Sequence, residues 1–276
     1  MLVCLNGSFF SHKDRLLSAS NSSYRYGDGL FETIRCEKGQ PLLFELHMNR
    51  LMEGMDLLGV KKSAFFSVEL LASKIKELLH KNNCLQLARV RLSVYRGEGG
   101  LFDNDHKAGY LIECWPLQDA VEWNENGLVL GVYPELKKTI DFLSNLKTAS
   151  FLIYSLAAQF AKRQRWNDAI VLNTQSTVAD TTIANLFIVR KREILTPSLD
   201  QGCVAGVMRT YLIQAMQKEG ILVKETAIDV AMLYEADEVF LTNAIRGLRW
   251  VGNLDNKVYT NTLSRDLFNR FLKKNL

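Results

Sequence analysis

The sequence predicts a two-domain, mixed α/β protein of the α+β type. Three observations lead there. Apolar residues recur at helical spacing in some stretches and alternate in others, without the regular strand–helix–strand rhythm of a Rossmann sheet. A polar connector around residues 116–126, with Pro116 and an Asn126-Gly127 turn, interrupts the periodic segments. The chain, at 276 residues, is long enough for one large domain or two smaller ones. The boundary is placed in the connector, giving a smaller N-terminal domain over 1–118 and a larger C-terminal domain over 119–276.

The elements follow in order. Residues 1–10 read as a hairpin turning at Asn6-Gly7. Residues 29–36 (GLFETIRC) alternate as a strand, Lys38-Gly39-Gln40 turns, and LLF is a short strand. Over 45–58, Leu46, Met48, Leu51, Met55 and Leu58 sit at helical spacing, and 67–81 form a second amphipathic helix. QLARVRLSVYRG and YLIECWPL are paired strands separated by RGEGG. Beyond the connector, GLVLGVYP is a strand, and 142–165 are a long helix or a turn feeding one. AIVLN, LFIVR and EILTP are strands, with VADTTIAN read as a polar loop. Gly206 opens a helix that Gly220 closes. LVKETAI and EVFLTN are strands, the latter ending at Asn243, and the last helix covers 261–274.

Composition narrows the function. The formal charge of +4 comes from 34 basic and 30 acidic side chains spread along the chain, which argues against a nucleic-acid partner. GLVLGVYP is too short to span a bilayer, and the N-terminus lacks a signal-peptide pattern. Five cysteines without a C-x-x-C pair suit a reducing, cytoplasmic compartment. The four histidines, His12, His47, His80 and His106, are scattered, and no metal site is expected. Neither G-x-G-x-x-G nor a Walker A sequence is present.

Several residues could carry chemistry. Lys147 lies among Leu143, Leu146, Phe151 and Leu152. A lysine in such apolar company loses part of its preference for the charged form, as amine nucleophiles need; the alternative is a lysine snorkelling from a helix start. Arg50 follows His47 by three positions, a spacing that clamps a phosphate or simply faces solvent. The backbone N–H groups at GVMRT form an anion site if anything binds there. Asp180 and Asn185 share a polar loop between strands, and Thr242, Asn243 and Arg246 end another strand. Arg96, before the glycines of RGEGG, suits a substrate carboxylate or a solvated hairpin.

In this order the pieces resemble the class IV, fold-type IV, enzymes that use pyridoxal 5'-phosphate (PLP). The resemblance spans nearly the whole chain. It rests on YGDGLFETIR at 26–35, ELHMNRL with His47 and Arg50, Lys147 about twenty residues before the Asp168-Ala169-Ile170 strand, VADTTIANLF, GVMRT and FLTNAIRG. It implies two α/β domains of the D-amino-acid aminotransferase architecture, with PLP in the cleft between them, in a homodimer that borrows residues from its partner. It implies a small amino substrate bearing a carboxylate.

The resemblance also implies roles. Lys147 carries the cofactor covalently and moves the substrate α-proton. Arg50 binds the phosphate, with the backbone N–H groups of Val207 and Met208 and the loop at Asn243 and Ala244. Asp180 pairs with the pyridine nitrogen, and Asn185 shapes the loop around it. Tyr26, Arg96 and Arg246 contact substrate. Three positions depart from the family pattern: aspartate replaces the usual glutamate at 180, and Met208 and Ala244 stand where threonines are common.

Two reactions share the first steps. An aminodeoxychorismate lyase releases pyruvate and leaves 4-aminobenzoate. An aminotransferase passes the amino group to an acceptor such as 2-oxoglutarate. The compact length and the TNAIRG run favour the lyase, although Leu101 stands where lyases often have arginine. A branched-chain or broad L-aminotransferase is the alternative, followed by a D-amino-acid aminotransferase.

Overall fold

The computed structural model describes residues 1–62, 66–102 and 108–273. His106 and the final residue of the expected C-terminal helix lie outside that range. The chain divides into two compact units. Unit 1 holds Met1–Ala120 together with Lys147–Ser150, and unit 2 holds Val121–Leu146 and Phe151–Leu276. Chain contacts thus group the Lys147 segment with the N-terminal unit, whereas the sequence boundary assigns it to the C-terminal domain.

Unit 1 opens with the expected hairpin, β1 (Leu2–Leu5) and β2 (Ser8–Ser11). A five-residue helix, α1 (Ser22–Tyr26), is capped by Asn21, whose side chain accepts from the Tyr24 N–H. Gly27 closes it at φ 68°, a left-handed conformation that suits glycine. There follow β3 (Gly29–Glu37), β4 (Gln40–Pro41), α2 (Phe44–Leu57), α3 (Val68–Lys81), β5 (Leu87–Arg96) and β6 (Ala108–Pro116). The strands form one antiparallel sheet in the order β2-β1-β6-β5-β3-β4. Along β5, Ala88, Val90, Leu92 and Val94 are buried, the period-two pattern of a strand with one covered face. Helix α2 buries His47, Met48, Leu51, Gly54 and Met55 at three- and four-residue spacing.

Unit 2 runs β7 (Leu128–Val132), α4 (Leu152–Gln164), β8 (Asp168–Leu172), β9 (Val178–Thr181), β10 (Asn185–Arg190), β11 (Glu193–Pro197), α5 (Val207–Lys218), β12 (Val223–Thr226), α6 (Val230–Glu235), β13 (Glu238–Asn243), β14 (Gly247–Leu254), β15 (Lys257–Val258) and α7 (Thr262–Phe271). Its mixed sheet has the order β12-β11-β10-β13-β14-β7-β8-β9, with β15 beside β14. One apolar cluster joins Leu130, Ile170, Val178, Leu186, Ile188, Leu241 and Val251 to Leu233 of α6. A second packs Tyr133, Ala169 and Val171 against Tyr154, Ala157 and Ala161 of α4.

Four points differ from the sequence expectations. The run LLF, read as a short strand, is not one: Leu42 and Leu43 lie in a turn and Phe44 opens α2. The helix expected within 142–165 begins only at Leu152, so Lys147 lies outside it. The run Val178–Thr181, read as loop, is a fully buried strand. Its apolar-polar mixture hides a strand whose polar side chains are satisfied internally. β14 (GLRWVGNL) escapes a sequence reading because glycines and an arginine break its alternation.

Candidate active site

In unit 1 the site residues gather on β3 and α2. Glu32 is 1% exposed and points at α2. Its Oε2 lies 2.6 Å from His47 Nδ1, and Arg50 grips both oxygens, Nε to Oε1 at 2.8 Å and Nη2 to Oε2 at 2.5 Å. The i, i+3 spacing of His47 and Arg50 therefore meets a buried carboxylate, which the sequence does not single out. Burial raises the Glu32 pKa, but the Arg50 charge and the His47 hydrogen bond outweigh it and lower it to about 2.

Lys147 lies on an extended segment alongside β3. Its carbonyl accepts from the Phe31 N–H at 2.9 Å, the Ala149 N–H donates to Gly29 O at 2.8 Å, and Thr148 bridges Leu30. The Lys147 ammonium rests over the Phe31 ring, 4.6 Å from its centroid, and Arg91 lies against the same ring at 3.7 Å. Sheet pairing, rather than a helix, fixes the Lys147 backbone.

In unit 2, Asp180 on β9 is 2% exposed. Its Oδ2 accepts from Tyr154 OH at 2.7 Å, the Val204 N–H at 3.0 Å and Lys138 Nζ at 3.1 Å. Its Oδ1 accepts from Asn185 Nδ2 at 2.9 Å. Burial and then the charge of Asp180 push the Tyr154 phenol well above its ordinary pKa, so it serves as a neutral donor. Lys138 and Tyr154 are the members that sequence reading misses. They lie 42 and 26 residues from Asp180, too far for any local spacing to link them.

Asn185 ties this carboxylate to the start of α5. Its Nδ2 also donates to Val204 O at 2.8 Å, and its Oδ1 crowds Gly206. A Cβ on Gly206 would collide with that oxygen. Gly206→Ala is expected to cost about 1–3 kcal/mol through forced displacement of Asn185. Denaturant unfolding of the two proteins reads this directly, and equal midpoints would remove the packing explanation.

Gly206, the N-cap of α5, has no side chain to cap it, and among the described residues no side chain accepts from the first-turn N–H groups at Val207 and Met208. On β13, paired in register with Asn185, the Thr242 hydroxyl is buried with no hydrogen-bond partner among the described residues. These donors fit a phosphate, and the buried acceptor Asp180 fits a cationic ring nitrogen. The residues present therefore suit a phosphate-bearing aromatic cation.

The remaining expected residues have partners of their own. The Asn243 side chain accepts from the N–H groups of Ile245 and Arg246 at 3.0 and 2.8 Å, closing the β13–β14 turn around Ala244. Arg246 is exposed. Arg96 approaches Asp28 Oδ2 at 2.6 Å without hydrogen-bond alignment at Nε, and donates to Leu58 O. Tyr26 is 44% exposed, and Leu101 is 69% exposed. Unit 1 thus holds Tyr26, Arg50, Arg96 and Lys147. Unit 2 holds Asp180, Asn185, Val207, Met208, Asn243, Ala244 and Arg246.

Among the described residues no helix is long and apolar enough to cross a membrane. All five cysteines are buried and free.

Comparison with known proteins gives a consistent result. A family model described as amino-transferase class IV matches residues 29–254. A Methanocaldococcus jannaschii protein, provisionally named a branched-chain-amino-acid aminotransferase, is 30% identical over 95% of this chain and 90% of its own. The aminodeoxychorismate lyase of Bacillus subtilis strain 168 is 30% identical over 88% of this chain and 83% of its own. Among solved structures, the T.th. branched-chain amino acid aminotransferase with pyridoxamine 5'-phosphate superposes with a TM-score of 0.87. It is 21% identical, over 98% of this chain and 92% of that one.

Proposed function

The chain belongs to the amino-transferase class IV family, and from that premise we propose that it is a PLP-dependent aminotransferase, passing the amino group of a branched-chain or broader set of L-amino acids to 2-oxoglutarate. The observation that carries the cofactor reading is the buried Asp180 carboxylate on β9, the kind of acceptor a cationic ring nitrogen needs. The pyridoxamine 5'-phosphate in the T.th. enzyme structure supports the same cofactor.

When bound, PLP supplies an electron-withdrawing ring that makes the substrate α-proton acidic. Lys147 would contribute the amine that holds the cofactor and would move the proton at the substrate α-carbon as base and acid. Asp180 would offer its carboxylate to the ring nitrogen and favour its cationic form. In unit 1, Arg50, held by Glu32, would offer its charge to a phosphate, and in unit 2 the N–H groups of Val207 and Met208 would offer theirs. The Thr242 hydroxyl would supply a donor that Met208 and Ala244 lack.

The sequence favours the lyase, and the comparisons support the aminotransferase slightly better. At equal identity the aminotransferase relative aligns over 95% of the chain and the lyase relative over 88%. Leu101, at the position where lyases often have arginine, brings no charge. The lyase stays as the second reading on the strength of the B. subtilis relative and the TNAIRG run. One experiment separates them. Holoenzyme with leucine and 2-oxoglutarate is expected to form glutamate. Formation of 4-aminobenzoate from aminodeoxychorismate without an acceptor, and no glutamate from leucine, would sink the aminotransferase reading.

A further inference from the structure

We propose that Lys138 is a positioning residue that decides which oxygen of Asp180 meets the cofactor, by occupying Oδ2 and leaving Oδ1 to the ring nitrogen. This rests on the PLP reading above.

The Lys138 backbone is pinned to the end of β8. Its N–H donates to Leu172 O at 2.8 Å, its carbonyl accepts from the Thr174 N–H at 3.0 Å, and it forms a parallel bridge with Asn173. The side chain is 10% exposed. Nζ donates to Ser144 O at 2.9 Å and reaches Asp180 Oδ2 at 3.1 Å, while sitting 5.2 Å from the Tyr154 ring centroid. A lysine this deep, anchored at both ends, has little freedom to leave the carboxylate.

The two carboxylate oxygens are not equivalent. Oδ2 takes three donors, from Lys138, Tyr154 and the Val204 backbone. A carboxylate oxygen offers roughly two lone-pair sites, so Oδ2 has no room for another donor. Among the described residues Oδ1 takes one donor, from Asn185. A further cationic N–H finds its acceptor at Oδ1. Aspartate here is one methylene shorter than the family's usual glutamate, and a fixed choice of oxygen limits how far a short side chain can swing.

Lys138 also supplies the counter-charge that a carboxylate at 2% exposure requires. Among the described residues the carboxylate's other donors, from Tyr154, Val204 and Asn185, are all neutral.

The test measures PLP dissociation from apoenzyme, with unfolding of each apo variant recorded in parallel. Lys138→Met is expected to raise the PLP Kd by about tenfold or more, the scale seen when a residue orienting a ligand-holding side chain is lost. Lys138→Arg, which keeps charge and donors, is expected to restore most of the affinity. In an Asp180→Asn background, Lys138→Met is expected to add nothing, because Lys138 acts through that carboxylate. A residue that only stabilised the fold would weaken binding equally in both backgrounds, which would overturn the inference. An unchanged Kd in Lys138→Met would overturn it as well, leaving the cofactor reading intact. If Lys138→Met does not fold, Lys138→Gln carries the same comparison, keeping an amide donor without the charge. Wild-type protein that binds no PLP would remove the reading and the inference together.

Discussion

Lys147→Ala protein is expected to emerge without the visible absorbance of covalently held cofactor and with aminotransfer reduced by about 10²–10⁴-fold or more, the scale of a lost general acid–base. The change removes the amine and leaves the scaffold. The Lys147 segment pairs with β3 through backbone groups alone, Phe31 N–H to Lys147 O and Ala149 N–H to Gly29 O, and alanine keeps both. Unfolding should therefore shift little, although the contact between the ammonium and the Phe31 ring is removed. Lys147→Arg sharpens the comparison, because it keeps a cation over Phe31 but has no amine nucleophile. Absorbance spectra and initial rates on the same preparations decide it. A variant that keeps wild-type absorbance and turnover would mean that another amine carries the cofactor.

Glu32→Ala is expected to destabilise the protein by about 3–5 kcal/mol, because it leaves the Arg50 guanidinium and the His47 ring facing a buried site without their anion. The same carboxylate sets an acid dependence. Its pKa falls from 4.5 to about 2 on folding. A depressed carboxylate contributes stability above its unfolded pKa, and loses it as pH falls through its folded pKa. Stability from Glu32, on the order of 3 kcal/mol, is thus complete above about pH 4.5 and gone below about pH 2. Glu32→Gln keeps the shape and removes the titration. Denaturant midpoints across that interval should fall less steeply in Glu32→Gln than in wild type. Parallel slopes would show that Glu32 is not the group being titrated. Because Arg50 is oriented by Glu32, both substitutions should also weaken retention of a phosphate-bearing cofactor.

Much of the fold can be read from local pattern. The hairpin at Asn6-Gly7, helix α2, the alternating β5 and the start of α5 at Gly206 each depend on residues a few positions apart. Where local pattern misleads, a distant partner is involved. Val178–Thr181 reads as loop because Asp180 and Thr181 are polar; it is a strand because Asp180 finds donors on α4, on the Val204 loop and at Lys138. The segment at Lys147 reads as the beginning of a helix because of its apolar neighbours. It is extended because β3 offers it backbone partners more than a hundred residues earlier in the chain.

The sequence by itself determined that Lys147, Arg50, Asp180 and the Gly206 turn occur in the order of a class IV enzyme, and that His47 and Arg50 share one face of a helix. Only the tertiary structure decided what that face meets. The answer is Glu32, which lies 15 and 18 residues from His47 and Arg50. Likewise, the tertiary structure decided that the Asp180 carboxylate is shared with Lys138 and Tyr154. Helical spacing records which side chains are neighbours along an element. Sheet pairing and helix docking bring together groups far apart in sequence, and a buried carboxylate gets its charge partner from whichever cation the fold carries to it.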